Sequence, residues 1–379
     1  MHTIARLLLI LVVSTGCPKA PSALGDPTLP EAVEAVDAQA PQALLESASE
    51  SLDPAVRARA LHLLVLSSDD VEGWGARALF DPSPWVQRGA IRALSTRPEA
   101  GAPLLRGFVE RDDTDPTARS LAALLLPRGS VDLTEAWATV AEPWDRLPLA
   151  LAAWHHGDDD ARPAVEAALR TGELPLDLDL MDAVALHGDA SLLPSLADAQ
   201  DRVEPELATA IAAVRMRLGD PKGEVELRRA LGGDVYERME VLDRIATWDD
   251  PAAEALIRKA SSAGPDLARS YGELLLTART GQHAQRLSEA LQSVDRDVRL
   301  LGVEASAQAL GHGPADRALA RSAVEVLREA TGDPDPAVRA SAARALGAHG
   351  GPDHADLLQA LLADEVQQVR VEAAGALLR

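Results

Sequence analysis

The stretch Asp333 to Gly347, reading DPDPAVRASAARALG, limits what this chain can fold into more than any other. Asp335-Pro336 reads as a helix start. Asp caps free backbone N–H groups, and Pro suits the first turn because the N–H it lacks would be unpaired there anyway. Val338, Ala342, Ala345 and Leu346 then fall at i, i+4, i+7 and i+8, on one face of an α-helix.

The same stripe returns as Val56-Ala60-Leu63-Leu64, Val86-Ala90-Ala93-Leu94, Ala118-Ala122-Leu125-Leu126 and Val369-Ala373-Ala376-Leu377. An Arg follows the first stripe residue at Arg57, Arg119, Arg339 and Arg370, and Gln87 with Arg88 stands there in the remaining copy. Fainter copies begin at Leu147, Leu176, Val203, Val235, Leu267 and Val298, so that anchors recur at intervals of mostly 27 to 32 residues. The interval from Val298 to Val338 is 40, and its extra residues are assigned to a longer second helix near Ala315 to Ala330.

Each period has room for two helices and two turns. Asp-Pro opens helices at Asp53, Asp81, Asp115, Asp220, Asp250 and Asp335, and Gly closes them at Gly188, Gly311 and Gly347. A single hairpin of this size cannot bury both its faces, so neighbours must stack. The expected fold is all-α: an α-solenoid of about eleven stacked helical hairpins, with a body about 100 Å long at roughly 10 Å per layer. Glu31 to Glu50, broken by Pro41, is expected to cap its first layer. The last layer, without a second helix, is expected to expose a Leu-rich flank.

Composition supports this reading. Hydrophobic residues make up 47% of the chain but aromatics only 3%, so the apolar content is mostly Ala, Leu and Val, which favours close-packed helices over strands. The net charge of -22 repels phosphate backbones, and nucleic acid is not an expected partner.

The N-terminus has a different character. One Arg precedes an apolar run, Leu7 to Val13, too short to span a bilayer, followed by small residues and Cys17. Cys17 is the only cysteine, so an intrachain disulfide is impossible. Ser14-Thr15-Gly16-Cys17 resembles the lipobox of bacterial lipoproteins, with Ser14 where that family usually has Leu. The resemblance implies a lipid on Cys17 as the mature N-terminus. The expected division is a signal peptide over 1–16, a Pro-rich tether over 17–30 and the solenoid over 31–379. Its location would be the bacterial cell envelope, on a membrane through the lipid.

The pattern D-P-x-x-V-R-x-x-A-x-x-A-L-G, as at Asp335 to Gly347, resembles HEAT-like repeats, in the short form found in phycobilisome lyases. The resemblance implies Asp and Arg side chains bridging successive layers, with Asp335, Arg339 and Arg370 in those places. It also implies second helices lining the concave face, where such families bind partners.

Candidate chemistry is sparse. HEAT-like deoxyhypusine hydroxylases hold iron through His-Glu pairs, and none of the nine histidines here precedes a Glu. Four histidines precede glycines, at His156, His187, His312 and His349, where His⁺ and a left-handed Gly suit a helix C-terminus. Asp158-Asp159-Asp160 and Asp112-Asp113 lack the turn Gly and distal Glu of a calcium loop and read as solvated turns. No phosphate loop, nucleophile elbow or H-E-x-x-H helix occurs. No catalytic residue, metal ligand or cofactor site is assigned, and an enzyme is not expected. Trp74, Trp85, Trp137, Trp144 and Trp154 gather in the N-terminal half and form the candidate partner-binding group. The expected function is a membrane-anchored scaffold for a protein partner. The alternative is an enzyme or metal-dependent accessory factor, lyase-like, on the same repeats.

Overall fold

The computed structural model describes residues 41–171, 178–246, 248, 250–262, 266–311, 317–349 and 354–379, so the signal segment, Cys17 and the tether lie outside the described residues. Among the described residues the secondary structure is α-helix, with two single 3-10 turns and no strand. In chain order the helices are α1 (Pro41–Ala48), α2 (Pro54–Ser67), α3 (Val71–Leu79), α4 (Pro84–Ser95), α5 (Pro98–Val109) and α6 (Pro116–Leu124). There follow α7 (Thr134–Thr139), α8 (Pro143–His155), α9 (Arg162–Thr171), α10 (Leu178–His187), α11 (Leu193–Gln200) and α12 (Pro205–Arg217). Then come α13 (Pro221–Ala230), α14 (Val235–Ile245), α15 (Pro251–Ala260), α16 (Leu267–Thr280) and α17 (Gln285–Leu291). The last five are α18 (Arg296–Gly311), α19 (Arg317–Ala330), α20 (Pro336–His349), α21 (Ala355–Leu361) and α22 (Gln367–Leu377).

The even-numbered helices are the first helices of the hairpins, and each carries one of the eleven anchors within it or just ahead of it. The long interval is shared between a 16-residue α18 and a 14-residue α19. Stripe residues such as Val86, Ala90, Ala93, Leu94, Val338, Ala342 and Leu346 are buried, because each first helix is covered on both flanks by neighbouring layers.

Each even-numbered helix packs on the next one around the whole circuit, while contacts between successive odd-numbered helices are sparser. The odd-numbered helices also carry the broad exposed faces, as along α19 at Arg317, Arg321, Glu325 and Arg328. The tightly packed, weakly exposed layer is the inner one. This reverses the implied arrangement: first helices, not second, form the concave wall.

The solenoid does not end in open layers. It closes on itself, with α22 packing against both α1 and α2. Helix α1 sits between the first helices α22 and α2, the place a second helix holds in every other layer, and buries Leu45 and Ala48 there. Two expectations are corrected. The Glu31–Glu50 segment does not cap an exposed first layer, because its described part opens a helix at Pro41. The last layer is not short of a second helix, because the N-terminus supplies it. A closed ring has no apolar end faces to cover, which is the physical advantage over an open stack.

The turns follow simple chemistry with two exceptions. Asp53, Asp115, Asp220, Asp250 and Asp335 cap their helices, as when Asp335 accepts the Ala337 N–H at 2.8 Å. Asp81 does not, because α4 starts only at Pro84. Its carboxylate instead accepts the Ser83 N–H and pairs with Arg57 at 2.7 Å. Gly347 also departs from expectation. It lies inside α20, where an added Cβ would meet Ala376 Cβ at 2.4 Å, so it permits close helix approach and is not a cap. Among the described residues, the left-handed glycines are Gly129, Gly157, Gly219 and Gly281.

Three junctions are bridged by ion pairs of one pattern. Arg57 reaches Asp81, Arg299 reaches Asp333 at 2.8 Å, and Arg339 reaches Asp364 at 2.7 Å. Each Arg also donates to a carbonyl six residues upstream, at Ser51, Ser293 and Asp333, and Arg370 does the same to Asp364. Bridging is therefore real, but the carboxylate opposite Arg339 is Asp364. Asp335 caps α20 and pairs with Arg296 at 3.1 Å.

Candidate functional site

Counting from each anchor, positions +3, +6 and +10 lie on one helical stripe, about 115° round from the core stripe. On α2 they are Arg59, His62 and Leu66; on α18, Leu301, Glu304 and Gln308; on α20, Ser341, Arg344 and Ala348; on α22, Glu372 and Gly375. The polar members of this stripe face one another along the inner wall. Arg59 Nε donates to Glu372 Oε1 at 2.8 Å and Arg59 Nη2 to Oε2 at 2.5 Å. Arg344 Nη2 donates to the same Oε1 at 2.7 Å. His62 Nδ1–H donates to the Gly89 carbonyl of the next layer at 3.0 Å.

Their electrostatics divide the wall. Glu372 is only 1% exposed, and although burial alone would raise its carboxyl, Arg344 and Arg59 together hold it down to about 2. Away from the seam the balance reverses. Burial, with Asp243 nearby, pushes Glu304 up to about 7 against the opposing pull of Arg344. Burial, with Glu240 nearby, pushes Asp243 up to about 6, opposed by a hydrogen bond from the buried Tyr271. Asp243 and Glu304 thus sit close enough for each carboxylate to oppose ionisation of the other. Burial and the Arg59 charge push His62 down to about 3.

A second feature lies on one edge of the ring. The large exposed hydrophobics include Leu52, Phe80, Trp85, Tyr236 and Val294. All five stand where a second helix turns into the next first helix, so they share one rim. Leu52, Phe80 and Trp85 occupy adjacent turns joined by the Arg57–Asp81 pair. The Arg111 guanidinium lies 4.5 Å over the Phe80 ring, whose other neighbour is Phe108 at 6.3 Å.

The five tryptophans do not form one surface. Trp85 is 51% exposed on the rim. Trp74 is half-buried beside Arg77. Trp137 and Trp154 are buried, the first with its Nε1–H on Asp158 at 2.8 Å and Arg146 over its ring, the second beneath Arg162. The side chain of Trp144 lies outside the described residues, as does Cys17. The rim positions of Leu52, Phe80, Tyr236 and Val294 escaped the sequence reading. Their signal was an apolar residue inside an otherwise polar turn.

The histidines do something other than balance helix ends. His156 ends α8 ahead of a left-handed Gly157, but its ring crosses to the preceding layer, where Nε2–H donates to Ala123 O and Nδ1 accepts from Gly129 N–H, both at 2.9 Å. His155 packs edge-on between His156 and His187, with ring centroids 5.0 and 4.4 Å away. Burial and the neighbouring rings lower His155 and push His187 down to about 4, so these two are held neutral and do not supply the positive charge a helix C-terminus favours. Beside them a cavity of about 290 Å³ is lined by Val131, Leu133, Thr134, His156 and Asp158. Among the described residues, no three His, Cys, Asp or Glu side chains are placed to hold a metal ion, and no helix is long and apolar enough to cross a membrane. His312, Gly350 and Asp353 lie outside the described residues.

The fold and its inner wall define an all-α solenoid bent into a ring. Residues 41–126 and 284–379 match the HEAT repeats family, the two stretches that meet at the closure. Repeats of this kind commonly serve as scaffolds for protein interaction. No curated protein matches the chain significantly. Among solved structures, an engineered protein aligns at 19% identity with a TM-score of 0.25, over 89% of this chain and 98% of its own.

Proposed function

We propose that the chain is a lipid-anchored scaffold of the bacterial cell envelope that docks a protein partner on its aromatic rim. The observation that carries this reading is the gathering of Leu52, Phe80 and Trp85 in adjacent turns of one rim, because exposed aromatics beside an Arg are what interface centres are made of. Anchorage rests on the sequence alone, on the apolar run ending at Cys17. Helix α1 begins on the opposite rim, so a tether attached upstream of Pro41 joins the ring on the side away from the aromatic turns.

Photo-crosslinking in intact cells tests the docking surface. A photoreactive residue in place of Trp85 should give one adduct of defined mass, and the same residue in place of Arg321 on the outer wall should not. Equal labelling at both sites would sink the rim assignment. Replacing Cys17 with Ser should move the protein from the membrane to the soluble fraction. Continued membrane binding would remove the lipid anchor without touching the docking reading.

A further inference from the structure

We infer that the ring opens at one place, the seam between α22 and α2, and that α1 is a detachable strap across it. Every other pair of adjacent first helices is joined covalently through a second helix and its two turns. At the seam α1 is bonded to α2 alone, through the turn at Ser49 to Asp53, and its hold on α22 is non-covalent. The described strap, Pro41–Ala48, is eight residues long, and only Leu45 and Ala48 are fully buried on it.

Like most junctions, the seam has no rung of the ion-pair ladder, which joins α2 to α4, α18 to α20 and α20 to α22. Asp81, Asp333 and Asp364, which receive an Arg from the preceding layer, each stand five residues before an anchor. The equivalent residue ahead of Val56 is Ser51, which has no carboxylate to offer Arg370 across the seam. What replaces the rung is a clasp on the inner side, Arg59 with Arg344 on the buried Glu372, together with the seating of Gly375 against Leu63. The seam thus has two independent closures, an ionic clasp facing the inner wall and a helical strap on the outside. The opening needs no anchor. If the lipid-anchor reading also holds, the tether pulls directly on the strap.

Hydrogen exchange followed by mass spectrometry on the full chain tests the inference. Peptides covering Pro41 to Asp53 and α22 should exchange about tenfold faster or more than those covering α18 and α20. Leu45→Asp should accelerate the seam peptides and leave α18 unchanged. Gly375→Ala, whose new Cβ would lie 2.5 Å from Leu63 Cδ1, should do the same from the other side of the seam. Gly302→Ala, whose Cβ would meet Ala290 Cβ at 2.9 Å, is the interior control and should accelerate α18. Far-ultraviolet circular dichroism shows whether each variant has folded. Seam peptides that exchange no faster than α18, or folded seam variants that accelerate the whole ring evenly, would overturn the inference. Neither outcome bears on Cys17, whose test is membrane fractionation.

Discussion

Arg59 and Glu372 stand 313 positions apart in the chain and 2.8 Å apart in space. Their contact turns a row of hairpins into a ring. Glu372 is also the carboxylate on which Arg344 rests, so one buried anion serves two guanidiniums from the layers on either side of it.

That sharing ranks three variants. Glu372→Gln removes the buried carboxylate on which both guanidiniums rest and should cost about 3 kcal/mol, in the range for breaking a buried pair from one side. Arg59→Met and Arg344→Met each leave Glu372 with one partner and should cost less. Urea unfolding at neutral pH measures the order. The pH dependence follows from the same group. Its carboxyl is ordinarily near 4.5 and is held down to about 2 in the ring, so its stabilisation is full above 4.5 and drains away as pH falls towards 2. Glu372→Gln should remove that slope. A variant whose acid unfolding follows the parent's would show that the clasp carries little energy.

Glu304 behaves in the opposite sense. Its folded-state value is raised from 4.5 to about 7, so it favours the ring when protonated, and that contribution is lost as pH rises through 7. Glu304→Gln should therefore gain stability at pH 8, by about 1 kcal/mol once the water reaching this half-buried group is allowed for. At pH 4 it should differ little from the parent. Thermal melts at both values decide it, and equal melting temperatures at pH 8 would show that Glu304 is screened.

The period was legible in the sequence because it is local chemistry: Val338, Ala342 and Leu346 repeat a stripe that any helix must bury. The count of eleven first helices follows from the same rule. Closure was not legible. Nothing near Arg59 points to Glu372, and a residue at position +3 of a helix reads as an ordinary solvated charge until the opposite wall is known. Asp81 shows a second limit. It shares its Asp-Pro dipeptide with Asp335, but Ser83-Pro84 follows and moves the helix start, freeing its carboxylate for Arg57. Trp85 and Trp137 show a third, since the same side chain is exposed on the rim in one case and anchored to Asp158 in the other.

His187 and His155 set another pH response. His187 is lowered from 6.5 to about 4, and His155 is lowered with it. The unfolded chain binds protons that the ring excludes, so stability is full above 6.5 and falls as pH drops towards 4. His62, lowered to about 3 on the inner wall, adds to the same trend. His187→Gln should flatten the melting temperature between pH 6.5 and 4.5, and adding His62→Gln should flatten it further. An unchanged slope in the double variant would assign this acid sensitivity to other groups.

Two glycines inside helices should respond oppositely to the same substitution. Gly347 in α20 faces Ala376 of α22, with Cβ to Cβ at 2.4 Å and Cβ to Cα at 2.5 Å for an added methyl. Ala376 is tied to its backbone and has no side chain to rotate away, so Gly347→Ala must push two first helices apart and should cost about 1–3 kcal/mol. Gly107 in α5 has nothing within 4 Å of its would-be Cβ. There Gly107→Ala only trades backbone freedom for helix propensity and should gain about 0.5–1 kcal/mol. Urea midpoints of the two single variants test the contrast. If Gly347→Ala proves neutral, the inner helices are less tightly seated than the Ala376 contact requires.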